Sequence, residues 1–127
     1  MAAAVADFRP AAPAKNKLKK GHVDRITLQS NPDILAWLGK RKGKTFLCGF
    51  ALETDDAEKH AQEKLAQKNC DLLVLNNPRE KGAGFGHDTN RVTLFSAGKK
   101  EAEKLPRLDK QEVAEILLAR YLTARKR

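Results

Sequence analysis

The stretch Thr45-Phe46-Leu47-Cys48-Gly49-Phe50-Ala51 is the part of the sequence that decides the fold. It is an almost unbroken apolar run, which is typical of a central parallel strand covered on both faces. A second run of this kind, Asp71-Leu72-Leu73-Val74-Leu75, follows further along the chain. Between them, Ala57, Ala61 and Leu65 recur at helical spacing and predict a helix over residues 56–69. The sequence therefore predicts a strand–helix–strand unit.

Strands and helices also alternate outward from this unit. Asn31-Pro32-Asp33 has the composition of a helix start, with Asn31 as N-cap. Thr54 or Asp55 is expected to cap the helix over 56–69, and Asp109 with Glu112 forms a capping-box pattern before the last helix. The other expected elements are a strand over 1–6, a loop over 14–24, strands over 25–29 and 90–95, a turn at 97–99 and a strand near 103–105. This order predicts one domain over 1–127 with a Rossmann-like three-layer α/β/α fold, whose mostly parallel sheet ends in an antiparallel hairpin.

The composition is that of a globular, basic protein. Of its 127 residues 41% are hydrophobic and 32% are charged, and the net charge is +9. This excess implies an anionic partner without choosing between a nucleotide, a nucleic acid and an acidic membrane. The low aromatic content argues against binding of single strands by base stacking, and no apolar run approaches the roughly 20 residues of a membrane span. Cys48 and Cys70 are expected to be reduced core residues, and they are too few for a zinc site.

Two groups of polar residues are candidates for binding phosphate. A small apolar run over residues 2–6 leads to Asp7 and Arg9, and the cluster Lys17-Leu18-Lys19-Lys20 follows. A strand end that presents an acid and an arginine beside a lysine loop suits a phosphate-bearing ligand. The alternative is a frayed terminus with solvated lysines, which composition alone favours.

The second group is a stripe of His60, Lys64 and Lys68 that borders the apolar face of the helix over 56–69. Such a stripe is usually solvated, but it is also compatible with a triphosphate site. The ring of Phe50, near the end of its strand, either packs in the core or stacks on a base. The run 82–86 (GAGFG) is no dinucleotide fingerprint, because its spacing is wrong and a strand follows it. We expect a flexible loop there, with His87 exposed.

Six segments in order resemble one family. AAAVADFRP (2–10), KLKK (17–20), NPDILAWLG (31–39), CGFALET (48–54) and DLLVLNNP (71–78), continued by GAGFGHDTNRVTLF (82–95), are similar to the synthetase half of the bacterial phosphopantothenoylcysteine decarboxylase/phosphopantothenate–cysteine ligase family of coenzyme A synthesis. The resemblance spans residues 2–122. It implies a ligase that joins 4′-phosphopantothenate to cysteine with CTP and Mg²⁺ through an acyl-cytidylate.

The resemblance also assigns roles to individual residues. It implies that Lys17 is the catalytic lysine and also contacts the nucleotide, and that Ala3 and Ala4 let the substrate approach the strand end. Phe8 stands where relatives commonly have Tyr, which removes one hydroxyl. The nucleotide-binding set that it implies is Asp7, Lys17, Asn31, Pro32, Asp33, Ile34, Phe50, Lys64 and Lys68. It implies no residue that binds a metal directly.

The resemblance further implies a cytoplasmic homodimer. We expect the chain to be the C-terminal part of the synthetase domain, without the upstream glycine-rich turn and without the flavin-binding decarboxylase domain, so no FMN is expected in this portion. Two alternatives remain open. One is a non-catalytic nucleotide-binding or dimerisation module. The other, a basic nucleic-acid-binding protein, ranks last because no nucleic-acid-binding motif is recognisable.

Overall fold

The computed structural model describes residues 5–19, 21, 25–77 and 89–125. These residues form two compact units, one ending at Ile34 and the other beginning at Leu35. The single domain expected from the sequence stays a prediction. Of the strand expected over residues 1–6, the first four residues lie outside the described part of the chain. Val5 and Ala6 are not in a strand.

The smaller unit is built around a two-stranded antiparallel ribbon. Strand β1 (Phe8–Pro10) pairs with β2 (Leu28–Ser30), so that Phe8 lies opposite Ser30. The Ala11 N–H extends the pairing by donating to the Thr27 carbonyl at 2.9 Å. Both strands are exposed along their whole length. The strand expected over 25–29 is present as β2, but it begins three residues later and ends one residue later than expected.

The larger unit contains the main sheet. Strand β3 (Cys48–Leu52) is parallel to β4 (Leu72–Asn76), which confirms the expected strand–helix–strand unit. On the other side of β4 the order continues with two antiparallel strands, β6 (Val92–Ser96) and β7 (Glu103–Lys104). In the described residues, parallel pairing is therefore confined to β3 and β4. A separate two-stranded sheet joins β5 (Thr89–Asn90) to β8 (Leu108–Asp109), which the sequence pattern did not indicate.

Alternate residues of β4 bury against different helices. Leu72 and Val74 belong to a cluster with Val113 of helix α3 (Lys110–Arg125), whereas Leu73 and Leu75 pack with Ala61 of helix α2 (Ala57–Gln67). Side chains alternate between the faces of a strand, so one helix covers each face of the sheet. The three-layer α/β arrangement is confirmed, and the apolar run of β4 is explained by burial on both sides.

The helix boundaries correct two of the expected caps. Helix α1 (Ile34–Gly39) begins after Asp33, so Asn31 lies outside the N-cap position. Residue Asp56, with φ of 44°, takes the N-cap position of α2 and makes no capping hydrogen bond with its side chain. Thr54 instead donates its hydroxyl to the Asp55 carboxylate at 3.0 Å. The two side chains that were expected to cap the helix are therefore bonded to each other.

The capping box of α3 is confirmed in both directions. The Asp109 N–H donates to Glu112 Oε2 at 2.8 Å, and the Glu112 N–H donates to Asp109 Oδ1 at 2.7 Å. The turn expected at 97–99 is also confirmed, because the Lys99 N–H donates to the Ser96 carbonyl and Gly98 has a φ of 77°. None of the described helices is long and apolar enough to cross a membrane.

Candidate functional site

Asn31 holds the two chain segments of the smaller unit together. Its backbone N–H donates to the Asp7 carbonyl, and its Nδ2 donates to the Ala6 carbonyl, both at 2.7 Å. Arg9 Nη1 donates to Asn31 Oδ1, also at 2.7 Å. The Asn31 side chain is therefore used to join the segments, and not to cap α1. Two residues of the expected nucleotide-binding set, Asp7 and Asn31, are direct neighbours although they are distant in the sequence.

Arg9, a candidate for binding phosphate that was not in the expected nucleotide-binding set, makes several hydrogen bonds in this unit. Besides Asn31, it reaches the Ser30 carbonyl at 3.4 Å. With the Gln29 amide in the orientation that satisfies both partners, the Gln29 oxygen accepts from Arg9 Nε at 2.8 Å and from Nη2 at 3.0 Å. The sequence shows Arg9 two residues after Asp7. Only the pairing of β1 with β2 gives the arginine these partners.

The remaining expected residues of the smaller unit are exposed. Lys17 lies in the irregular stretch 11–19, which agrees with the expected loop. Pro32, Asp33 and Ile34 are exposed at the beginning of α1. Ala3 and Ala4, the residues expected to admit the substrate, lie outside the described residues. So do the loop 82–86 and His87.

In the larger unit, Lys64 is held by a carboxylate that the sequence analysis did not single out. This residue is Glu53, which directly follows β3. Its Oε1 accepts a hydrogen bond from Lys64 Nζ at 2.5 Å, and His60 Nδ1 lies 3.7 Å from its Oε2. The Glu53 side chain is 17% exposed, compared with 46% for Lys64. Two members of the expected stripe, His60 and Lys64, thus converge on Glu53. An acidic residue at the carboxyl end of a buried strand was the signal that could have found it.

Lys68 lies one turn further and occupies the C-cap position of α2. Its carbonyl packs so closely on α1 that a Cβ on Gly39 would lie 1.9 Å from the carbonyl oxygen. Asn69, in a left-handed conformation, donates its Nδ2 to the Gly39 carbonyl at 2.8 Å. The end of α1 is therefore tied to the end of α2 by backbone contact and a hydrogen bond.

Phe50 lies on the opposite face of the sheet from α2. Its register partner Val74 faces α3, whereas the neighbouring Ala51 packs with α2. The ring is 47% exposed on β3, which is an outer strand among the described residues. The structure thus leaves Phe50 accessible but does not place it on the same sheet face as Lys64. Its role as a nucleotide contact stays a prediction.

The two cysteines are free, as expected. Burial raises the pKa of the Cys48 thiol, and burial also raises the pKa of Cys70, although nearby Lys42 opposes that effect. Both side chains are therefore protonated near neutral pH, which is unfavourable for a nucleophile or a metal ligand. The described residues contain no group of three or more His, Cys, Asp or Glu side chains arranged to hold a metal ion.

A family model and two relatives match nearly the whole chain. Residues 1–124 match the family described as "DNA/pantothenate metabolism flavoprotein C-terminal domain". A protein named "Cysteine/Cysteine sulfinic acid decarboxylase", from an unknown prokaryotic organism, is 45% identical over 97% of this chain. The "Coenzyme A biosynthesis bifunctional protein CoaBC" of Bacillus subtilis (strain 168) is 46% identical over 91% of this chain. These names describe whole proteins, and the chain spans 34% and 29% of their respective lengths.

Solved structures share the fold. The crystal structure of the C-terminal domain of CoaBC has a TM-score of 0.69 and 36% identity, and the match covers 98% of this chain and 53% of that one. A Cab2 mutant in complex with phosphopantothenate-cysteine has a TM-score of 0.71 at 20% identity, over 97% of this chain and 43% of that one. The second similarity concerns the fold alone. The family match and the CoaBC relatives together show that this chain belongs to the DNA/pantothenate metabolism flavoprotein C-terminal domain family and is homologous to the C-terminal part of CoaBC.

Proposed function

We propose that the chain carries the nucleotide-binding part of a cytoplasmic, CTP-dependent phosphopantothenate–cysteine ligase of coenzyme A synthesis. The homology to the C-terminal part of CoaBC supports the reaction class. The observation that carries the assignment is the backbone hydrogen bond between Asp7 and Asn31, two residues that the sequence resemblance assigns to one nucleotide site. Strand pairing in the smaller unit makes them neighbours.

The proposed reaction has two steps. The carboxylate of 4′-phosphopantothenate attacks the α-phosphorus of CTP, so that a C–O–P bond forms and pyrophosphate leaves with its electron pair. The amine of cysteine then attacks the acyl carbon, an amide bond forms, the amine loses a proton, and CMP leaves. Negative charge develops on phosphate oxygens as pyrophosphate leaves and again as CMP leaves. Cationic side chains stabilise this charge most effectively when they are already held in position before the reaction.

Lys17 is the residue proposed to meet this charge at the α-phosphate. It is an exposed lysine in an irregular segment, so its ammonium group is not committed to the core. Lys64 and Lys68 are proposed to bind the outer phosphates, and Asp7 and the segment Asn31–Ile34 to hold the nucleoside. Phe50 offers an accessible ring for a base.

Mg²⁺ fits this scheme as a partner of the phosphates. Because Mg²⁺ retains several waters and commonly takes only one or two protein carboxylates beside substrate phosphates, a dense ligand cluster is not required. Asp7 and Asp33 are exposed carboxylates of the smaller unit that are suited to this task. When bound, Mg²⁺ would neutralise charge on the departing pyrophosphate.

Glu53 adds a feature specific to this geometry. Its carboxylate already neutralises Lys64, so a triphosphate must compete with it for the ammonium group. Glu53→Gln keeps a hydrogen-bond acceptor beside Lys64 but removes the competing charge. We expect this variant to bind CTP several-fold more tightly, because losing a competing ion pair worth about 1 kcal/mol changes the affinity by that factor.

The deciding experiment is calorimetric titration of CTP, with ATP as the comparison, in Mg²⁺ and moderate salt. The wild-type chain is compared with Lys17→Ala and with the matched control Lys15→Ala, which removes another exposed lysine from the same segment. We expect selective CTP binding, weakened about tenfold or more in Lys17→Ala and unchanged in Lys15→Ala, since a charge-assisted contact contributes about 1.5–3 kcal/mol.

Two outcomes would contradict the proposal. Equal effects of the two lysine variants would assign the binding to general surface charge. Equal, weak binding of CTP and ATP that disappears with added salt would leave only a basic surface, as the nucleic-acid alternative predicts.

A dimerisation module is the second candidate, and the exposed apolar side chains of the smaller unit favour it. Phe8 is 57% exposed and Leu28 is 56% exposed, on the two paired strands. A ribbon with uncovered apolar side chains gains free energy when a second copy covers it. Sedimentation analysis should show a dimer that Leu28→Asp dissociates, whereas Leu118→Asp, at a site of similar exposure on α3, leaves it intact. A concentration-independent monomer would refute this role.

A further inference from the structure

A groove lies at the amino end of β4, between the last turns of α3 and the segment 42–46. Two adjoining cavities of about 470 Å³ and 310 Å³ form it, and both are lined by Phe46, Asp71 and Ala124. No member of the proposed nucleotide-binding set lines either cavity. All of its lining residues belong to the larger unit. The groove is therefore separate from the residues assigned above.

Two of the cations in this groove are already neutralised. Lys42 Nζ contacts Asp71 Oδ1 at 2.8 Å, and Asp71 Oδ2 accepts the Leu47 N–H at 2.7 Å, so both oxygens of that carboxylate are occupied. Arg120 Nη2 contacts both oxygens of Glu103 at 2.7 Å. These ion pairs stabilise the fold, and the charges of Lys42 and Arg120 are therefore largely cancelled and contribute little to binding a ligand.

Three further cations line the groove without such a partner. Lys44 and Arg125 line the larger cavity and Lys99 lines the smaller one, and all three are exposed. Within the described part of the chain, no carboxylate lies within ion-pair distance of any of them. Like charges that converge on a concave surface repel one another and raise the local positive potential. An anion in the groove relieves that repulsion.

One wall of the groove is aromatic. The rings of Phe46 and Tyr121 pack edge to face, with centroids 5.8 Å apart and an interplanar angle of 61°. Tyr121 remains 36% exposed. Ligand sites commonly combine an apolar wall with a few convergent polar groups, in a volume of about 300–1,000 Å³. The groove has this combination.

We propose that this groove binds a small phosphate-bearing anion, with Lys44, Lys99 and Arg125 contacting the phosphates and the Phe46–Tyr121 wall contacting the remainder of the ligand. Concavity and the three exposed cations along the groove favour a compact ligand of high charge density over an extended polymer. The site is distinct from the proposed nucleotide site, so it survives or fails independently of the proposed ligase activity.

The groove contains a natural reporter. Tyr121 is the single tyrosine of the chain, and Trp37, on α1, is the single tryptophan. A full-length chain labelled with 3-fluorotyrosine and 5-fluorotryptophan therefore gives one ¹⁹F resonance in the groove and one outside it. Tripolyphosphate, without nucleotide, is titrated in moderate salt. We expect a saturable shift of the Tyr121 resonance.

Charge variants then test the assignment. Lys44→Gln with Arg125→Gln should weaken the Tyr121 titration about a hundredfold, because each of the two lost charge-assisted contacts is worth about a factor of ten. The matched control, Lys59→Gln with Lys110→Gln, removes the same net charge from exposed positions outside the groove and should leave the titration unchanged. Lys17→Ala should also leave it unchanged, which separates this site from the proposed nucleotide site.

Several results would overturn the proposal. One is a Tyr121 resonance that does not respond to tripolyphosphate. Another is equal weakening in the groove variant and the control. A third is loss of the titration in Lys17→Ala. A shift caused by a short duplex oligonucleotide but not by tripolyphosphate would assign the groove to nucleic acid instead. If Arg125 only balances the partial negative charge of the helix end, the groove variant lowers the melting temperature and leaves the titration unchanged, which also contradicts the proposal.

Discussion

Substitution of Gly39 by alanine should destabilise the larger unit, although Gly39 has an ordinary helical backbone and alanine is the better helix former. The reason lies in the contact between α1 and α2. A Cβ at Gly39 would lie 1.9 Å from the Lys68 carbonyl oxygen, 2.8 Å from its carbonyl carbon and 3.3 Å from Asn69 Cβ. Two of these atoms belong to the backbone, so no side-chain rotation relieves the overlap.

The size of the effect follows from the movement required. The ends of α1 and α2 would have to separate by about 1 Å to restore normal contact distances. The hydrogen bond from Asn69 Nδ2 to the Gly39 carbonyl, now 2.8 Å, would then exceed its useful range. Loss of that bond costs about 1 kcal/mol, and forced repacking costs about 1–3 kcal/mol. We expect Gly39→Ala to lower the free energy of unfolding by about 2–4 kcal/mol.

Urea and thermal unfolding followed by circular dichroism measure this change. The matched control is Gly98→Ala, where the added Cβ meets no atom within 4 Å and only the left-handed backbone, with φ of 77°, opposes the substitution. That control should lose about 1 kcal/mol. A Gly39→Ala variant as stable as the wild type, or less perturbed than Gly98→Ala, would show that the two helices are not in the contact described.

Three further outcomes are expected. Leu73→Ala, at a position 1% exposed in the core, should lower the free energy of unfolding by about 2–5 kcal/mol, and a loss below 1 kcal/mol in urea melts would contradict its burial. Asp109→Ala removes the acceptor of the Glu112 N–H and should cost about 1 kcal/mol, measured as the fall in the thermal midpoint; an unchanged midpoint would argue against the capping box. Since the folded state raises the pKa of the Cys48 and Cys70 thiols, their contribution to stability is full below the unfolded thiol pKa of about 8.5 and is lost as pH rises above it. A variant with both cysteines changed to alanine should lack that alkaline loss in urea melts from pH 7 to 10.

The features that sequence reasoning predicted correctly are those with a local cause. The capping box at Asp109 depends on two residues three positions apart, and both of its hydrogen bonds are present. The apolar run 72–75 required burial on both faces, and both faces are covered. The parallel pairing of β3 with β4 followed from the helix between them.

The candidate site was predictable only in part. The residues of the set come from the resemblance and stay a prediction. The expectation that Asn31 caps a helix was wrong, because its partners Ala6 and Arg9 lie far away in the sequence. Glu53 was not predicted, although its position at the carboxyl end of a buried strand was a signal for it. Its ion pair with Lys64 joins the end of β3 to the third turn of α2, and no short sequence motif predicts that pair.

The sequence by itself determined the α/β class, the amphipathic faces of the helices, the buried strands and the basic charge, because side-chain periodicity and local capping depend on neighbours along the chain. Only the tertiary structure decided that β6 runs antiparallel beside β4, that Phe50 faces away from α2, and that Lys64 is already paired with a carboxylate. Strand order, sheet face and ion pairing are settled by contacts between distant segments. Those contacts exist only once the chain has closed its loops.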